Sequence, residues 1–373
     1  MSTHAPLAPS SAARRAQCPG SRSLEASVPD EDTPESMEGT AAHLVATDWL
    51  VGVKHKEGEI APNGVAVTAE MIEGAQLYDS AVWGFVKKYG GVPETEKETR
   101  AHRIHEDCYG TLDTVVVGYE DQNPKRPIVG LFDYKFGFGY VDVFENWQLI
   151  EYVAGEIESL PSTLDAHTWV EMTIVQPRSY HSEGQVRTWR IKLGDLRAYF
   201  NIAHGFEHEA MKPDAPTRTG PQCADCKARF KCKAIQASAY QAAEMSRDGM
   251  PFDLPNDAAA RELRVLQDAS KRLEARITGL ESELFSRLRA GQRVAGYELT
   301  NVQSRERWSV AIQDVIDLAE SLGVDVAKPG VVTPNQARTA GLDPAIVAAI
   351  SHRPQGELKL ARVDIKKLQR IFS

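Results

Sequence analysis

The chain has no apolar run approaching the ~18 residues of a membrane span. Met1 to Ser21, rich in Ala, Ser, Pro and Arg, holds no continuous apolar segment of the secretory kind. The expectation is a cytoplasmic protein with no membrane partner. Positive charge is also in short supply. The 43 Lys and Arg face 52 Asp and Glu, a formal charge of -9, so no global field marks a nucleic-acid or polybasic membrane binder, and any such binding must be local. Cysteine is scarce and odd in number, at five in 373 residues. That argues against a disulfide framework and makes metal or cluster ligation the better question. No internal repeat is visible. What remains is ordinary globular material, 42% apolar and 25% charged, enough for roughly two domains with a real core.

Residues 1–33 have the Ala, Ser and Pro composition of a tail or loop. Thr33-Pro34-Glu35 then reads as an N-cap, a first-turn proline and an early acid, opening a helix to about Lys54. A second helix is expected over Ala69–Tyr89, closed by Gly90-Gly91. Strand-like runs follow at Glu98–His105, Thr111–Tyr119 and Arg126–Phe136, then a helix near Phe144–Ser159, strands at Thr168–Gln176 and Gln185–Ile191, and a helix near Asp195–Met211. This alternation predicts an α/β fold, a mixed central sheet flanked by helices. Beyond it come helical residues 233–245, a break at Pro251–Pro255, nearly heptad-spaced leucines over 257–290 and a small αβ tail.

Ile128-Val129-Gly130-Leu131-Phe132 is the run of a strand covered on both faces, yet it ends in Asp133-Tyr134-Lys135. Period two places Asp133 and Lys135 on one side and Tyr134 on the other. An antiparallel neighbour beginning Gly110-Thr111-Leu112-Asp113 can bring Asp113 beside Asp133. Two adjacent carboxylates repel unless a divalent cation neutralises them, and Mg2+ or Mn2+ held by carboxylates suits phosphate chemistry, with Lys135 orienting water or stabilising phosphate charge. The same residues also suit a strand-end ion pair beside a turn. Gln148 and Tyr152, four apart, share a helix face. His43 lies off the apolar stripe of its helix, among Gly39, Ala46 and Leu50.

Cys223, Cys226 and Cys232 form C-x2-C-x5-C in a Pro- and Gly-bearing loop. A tetrahedral site needs a fourth ligand, with Cys18, Cys108, His204 and His208 as candidates, and thiolates suit zinc and a [4Fe-4S] cluster alike. Residues 176–233 hold eleven Lys and Arg against six acids. Arg187, Arg190, Lys192, Lys227, Arg229 and Lys231, interleaved with Tyr180, Trp189, Tyr199 and Phe230, suit a groove that tracks a nucleic-acid strand and stacks its bases.

The order of these segments resembles the motif series of the RecB-like branch of the PD-(D/E)XK nuclease superfamily, over about residues 4–232: His43, then Gly110 to Asp113, then Asp133-Tyr134-Lys135, then Gln148 with Tyr152. That branch includes the CRISPR-associated RecB-like exonucleases and the AddB nuclease domain. The likeness is closest to an uncharacterised phage-encoded group sharing the Glu38 to His43 and Cys18 to Ser21 segments. Leu112-Asp113 stands where the eponymous pattern has Pro-Asp.

The resemblance implies a restriction-endonuclease-like core. His43, Asp113, Asp133 and the Tyr134 carbonyl would hold the catalytic metal, Lys135 would serve the attacking water, and Gln148 and Tyr152 would position substrate or the lysine. It also implies that Cys18 with Cys223, Cys226 and Cys232 clasps a structural [4Fe-4S] cluster, with zinc as the alternative. The domains expected are 1–33 as a segment carrying one cluster cysteine, 34–235 as the nuclease domain, and 236–373 as a helical and small αβ extension. The activity expected is metal-dependent DNA exonuclease action on single-stranded ends in phage replication or recombination, with a single-strand-binding protein or recombinase as partner. The competing expectation is a non-catalytic DNA-binding scaffold that keeps the fold, and a third is a zinc-stapled protein unrelated to nucleic acid.

Overall fold

The structure, a computed structural model, describes residues 5–29, 33–160, 164–179, 183–245, 256–303, 307–324, 341–352 and 355–362, together with Val326, Thr333, Pro334 and Ala337. Tyr180 and the break at 251–255 lie outside the described residues. The chain divides into two compact units, residues 1–276 and 277–373.

The first unit opens with two short helices, α1 (Ala12–Gln17) and α2 (Ser21–Glu25), where a tail or loop was expected. They carry no amphipathic stripe to betray them. Leu7 and Ala12 are fully buried and Arg15 is 3% exposed, so the segment is anchored by a few side chains rather than by a periodic face. Helix α3 (Pro34–Leu50) begins at the predicted cap, with Thr33 and Ser36 exchanging side-chain bonds to each other's backbone N–H. Helix α4 (Ala69–Tyr89) ends at Gly90, whose φ is 74°.

The sheet order is β1 (Glu94–Arg100), β2 (Tyr109–Tyr119), β3 (Pro127–Tyr134), β4 (Trp169–Val175) and β5 (Val186–Lys192). All pairings are antiparallel except the central β3–β4 pair, which is parallel. The parallel step is bridged by α5 (Trp147–Ser159), capped by Asn146, whose side chain accepts from the Leu149 N–H at 3.2 Å. β3 is buried along its whole length, as its unbroken apolar run requires. The first strand occupies Glu94–Arg100 rather than 98–105, because residues 101–108 form a turn closed by the Ala101 N–H to Cys108 carbonyl bond of 2.9 Å. As an edge strand of sequence Glu-Thr-Glu-Lys-Glu-Thr-Arg, it offers no apolar alternation to locate it.

Helices α3 and α4 cover one face, packing Val45, Met71, Tyr78 and Phe85 on Val116, Ile128 and Phe132. Helix α5 and α6 (Leu193–Ala210), with the N-terminal segment, cover the other, packing Ile150, Val153, Leu196 and Phe200 on Val115, Val129, Leu131 and Met172. The expected mixed sheet flanked by helices is therefore present. Helices α7 (Lys233–Met245) and α8 (Asn256–Arg289) follow, the division between units falling within α8.

In the second unit β6 (Tyr297–Gln303) pairs antiparallel with β9 (Gln355–Arg362), and β7 (Arg307–Trp308) with β8 (Ser351–His352). With α9 (Ile312–Ser321) and α10 (Pro344–Ile350), it keeps its own small core of Val315, Ala319, Val326, Ala337, Leu342 and Val347. Among the described residues, no helix is long and apolar enough to cross a membrane.

Candidate active site

The β2–β3 register pairs Thr114 with Phe132, and one step further it sets Asp113 opposite Asp133. Asp113 Oδ2 accepts the Tyr134 N–H at 2.7 Å, tying the two strand ends together. The Lys135 ammonium donates to Asp133 Oδ1 at 3.1 Å and to the Gln148 carbonyl oxygen at 3.0 Å, while the Gln148 amide donates to Asp133 Oδ1 at 2.9 Å. Asp133, Lys135 and Gln148 thus form a closed triangle between the end of β3 and the first turn of α5. One turn on, the Tyr152 hydroxyl donates to the Thr111 carbonyl at 2.9 Å and fixes the β2 end.

From the other face, His43 on α3 sets Nδ1 3.5 Å from Asp113 Oδ2. Its ring stands edge-on to Tyr134 at 5.3 Å and meets the Tyr134 carbonyl. Gly74 on α4 leaves room for the Tyr134 hydroxyl, and a Cβ there would collide with it. The structure therefore brings His43, Asp113, Asp133, Tyr134, Lys135, Gln148 and Tyr152 to one end of β3.

The electrostatics are those of crowded acids. Burial, and then the Asp133 carboxylate, push the Asp113 carboxyl well above its ordinary pKa. Burial opposes charge on Lys135, but Asp133 and Asp113 outweigh it and raise the ammonium's pKa. Burial lowers the His43 pKa, favouring the neutral imidazole that ligates metals. Asp133 is 3% exposed. Its Oδ2 sits 3.0 Å from the Lys135 nitrogen, out of hydrogen-bonding alignment, and is otherwise buried without a partner among the described residues.

As the side chains stand, no group of three or more His, Cys, Asp or Glu among the described residues is gathered to hold a metal ion. The donor chemistry nonetheless fits a hard divalent cation: two abutting carboxylates, a buried carboxylate oxygen without a hydrogen bond, a neutral imidazole and a main-chain carbonyl.

Sequence reasoning missed Glu96. The β1–β2 register sets it opposite Asp113, between the Thr95–Thr114 and Lys97–Leu112 pairs. Its φ of 48° lies in the left-handed region, uncommon for a residue with a side chain. Thr47, one turn beyond His43 on α3, donates to Glu96 Oε1 at 3.1 Å. The signal was the acid-rich stretch 94–98, legible only once β1 is in register.

The four clasp cysteines are all buried. The Arg218 N–H donates to Cys18 Sγ at 3.2 Å across 200 residues, and Gly20 bonds the Pro216 carbonyl at 2.9 Å. Burial raises the Cys223 thiol pKa, and Cys18 and Cys232 add to the shift. Burial, then Glu25, push the Cys226 thiol up to about 12. Cys108 instead lies 3.5 Å from Glu151, and His208 meets His204 at a tilt and His105 edge-on, so these other fourth-ligand candidates are engaged elsewhere.

The basic residues sit in two places, Arg187, Arg190 and Lys192 on β5 and Lys227, Arg229 and Lys231 in the cysteine loop. Arg187 is 4% exposed and bonds inward to the Gly184 and Val141 carbonyls and to Gln176. Arg190 pairs with Glu120 and Glu171 over the Trp169 ring, where Lys192 also sits. The Lys227 N–H bonds Glu25, Arg229 bonds the Ala224 carbonyl and Lys231 bonds that of Ser27, all around the cysteine loop. Of the six, Arg187 is the one whose cation is used up inside the fold.

The fold is a five-stranded mixed sheet with helices on both faces and an acid, lysine and histidine site at the end of its central strand. The chain belongs to the family described as Protein of unknown function (DUF2800), whose profile matches residues 4–343. It is also similar to two crystal structures of LHK-Exo, an alkaline exonuclease from Laribacter hongkongensis, one of them in complex with dAMP. Identity is 16% in each, over 53% of this chain and 90% of the other, with TM-scores of 0.24 for the dAMP complex and 0.20 for the second structure. Similarity this low carries no inference about activity.

Proposed function

We propose that this protein is a metal-dependent nuclease of the RecB-like PD-(D/E)XK kind that hydrolyses DNA phosphodiesters, acting on single-stranded ends. The observation that carries the reading is the Asp133–Lys135–Gln148 triangle, closed by bonds of 2.9 to 3.1 Å, with Asp113 abutting it. His43, Asp113, Asp133 and the Tyr134 carbonyl are the groups that would hold Mg2+ or Mn2+. When bound, that ion supplies charge neutralisation on the phosphate and a more acidic water.

The chain's own contribution is positional. Lys135 is kept cationic by the two aspartates and held in line by Gln148, so it orients water and offsets charge on the phosphate. Tyr152 locks the strand that carries Asp113. We further propose that Cys18, Cys223, Cys226 and Cys232 clasp a structural [4Fe-4S] cluster, supported by their joint burial and by the Cys18 to Arg218 contact. Phage DNA replication or recombination, beside a single-strand-binding protein or recombinase, is the setting that the sequence resemblance implies.

The test is incubation of anaerobically purified protein with end-labelled single- and double-stranded DNA in Mg2+, Mn2+ or EDTA, beside Asp133→Ala. Cleavage that needs both the ion and Asp133 is expected, faster on single strands. DNA retardation without cleavage by either protein would replace the enzyme with a binding subunit. Zinc as the sole bound metal, with no DNA affinity at low salt, would remove both readings.

A further inference from the structure

We infer that the loop joining β3 to α5 is a base-stacking surface for unpaired nucleotides beside the carboxylate site, a reading that deepens the proposed nuclease and rests on it. The loop runs Phe136-Gly137-Phe138-Gly139-Tyr140 directly after Lys135. Phe136 is buried, but Phe138 is 67% exposed and Phe144 is 57% exposed. One exposed ring is ordinary, but two in a single loop beside the carboxylate site offer flat apolar surface to a ligand.

The loop is not left to wander. Gln176, fully buried, donates to the Gly137 carbonyl at 2.8 Å and to the Gly139 carbonyl at 2.7 Å, and accepts the Val141 N–H at 3.3 Å. Arg187 adds a 2.8 Å bond to the Val141 carbonyl. Arg178, gripped by Glu38 and Glu70 at 2.7 to 2.8 Å, lies 3.8 Å from the Phe136 ring and 4.6 Å from the Phe138 ring. Phe144 is braced edge-on by Trp189 at 5.3 Å. Buried polar groups are costly to place, and two of them here, Gln176 and Arg187, fix the loop backbone while a third, Arg178, sits against its rings.

The occupant follows from position and chemistry. Phe138 is three residues from Lys135, at most about 11 Å along the chain, so a strand with its phosphate at Lys135 carries a neighbouring base to the ring. Gly137 and Gly139 have nothing within 4 Å of where a Cβ would stand, so no side chain flanks Phe138 from the two positions beside it. A cation behind an aromatic ring suits a nucleobase in front of it.

The experiment binds the full chain, in Ca2+ and again in EDTA, to a short single strand carrying 2-aminopurine and to an abasic strand of the same length. For the wild type we expect quenching of 2-aminopurine, with affinity falling about tenfold in each of Phe138→Ala and Phe144→Ala. The difference between wild type and variants should vanish on the abasic strand. Unchanged affinity of both variants for the base-bearing strand overturns the inference, as does equal loss on the abasic strand or failure of the wild type to bind in either condition. Absence of metal-dependent cleavage by the wild type, with ring-dependent quenching intact, would sink the nuclease reading and leave the stacking surface standing.

Discussion

Two charge clusters meet the same helix, α5. At the β3 end, Asp113 and Asp133 face Lys135 and Gln148 of α5. Deeper along α5, Glu151 and Glu207 face Arg15, whose Nε sits 2.8 Å and 2.6 Å from the two Glu207 oxygens and whose Nη2 is 3.6 Å from Glu151. Each cluster sets two acids against one base, yet their access differs. Arg15, Glu151 and Glu207 are at most 3% exposed, whereas the side chains of Lys135 and Asp113 are 25% and 16% exposed. The sealed cluster can relieve its surplus charge only by holding a proton, and burial, then Glu207, push the Glu151 carboxyl well above its usual range. The open cluster can take a cation from solvent. Similar residue types therefore make a sealed structural knot in one place and, in the other, a solvent-reached cluster that is the proposed metal site.

Substitutions should separate the two. The largest effect belongs to the open cluster: Lys135→Met should lower the rate of DNA cleavage by on the order of 10^2–10^4-fold with little change in melting temperature. A rate within twofold of wild type would remove Lys135 from the chemistry. In the sealed cluster, Arg15→Met leaves the buried Glu207 carboxylate without its cation and should cost about 3–5 kcal/mol in denaturant unfolding. Loss of cleavage in that variant should follow unfolding rather than precede it. Asp113→Asn should abolish cleavage yet raise stability by about 1 kcal/mol, because it removes like-charge repulsion at a functional site.

The smallest effect is one of pH. Because the folded pKa of Glu151 is raised, its stabilising contribution is fully present below the ordinary glutamate value and is lost as pH climbs through the folded value. Stability should therefore decline toward alkaline pH, and Glu151→Gln should flatten that slope, as thermal melts across pH would record.

The open cluster was the more legible of the two in the sequence, for a physical reason. A charged pair ending a buried apolar strand violates the pattern around it, and the separation of Asp113 from Asp133 fits an antiparallel neighbour, so both could be placed without coordinates. Helical spacing put Gln148 and Tyr152 on one face, and the family resemblance tied that face to the site. The sealed cluster was hidden because its members lie on three helices 192 residues apart at the extreme, and Arg15 sits in a segment whose composition reads as a tail. Glu96 was hidden by the displaced start of β1. A count of cations likewise does not record which of them, like Arg187 and Arg178, are consumed holding loops and helices in place.

The contrast between the clusters reduces to where a divalent cation goes. Mn2+ titration followed by electron paramagnetic resonance, on wild type, Asp133→Asn and Glu151→Gln, measures that directly. The account predicts saturable Mn2+ binding that Asp133→Asn abolishes and Glu151→Gln retains. Binding that survives Asp133→Asn unchanged would contradict it.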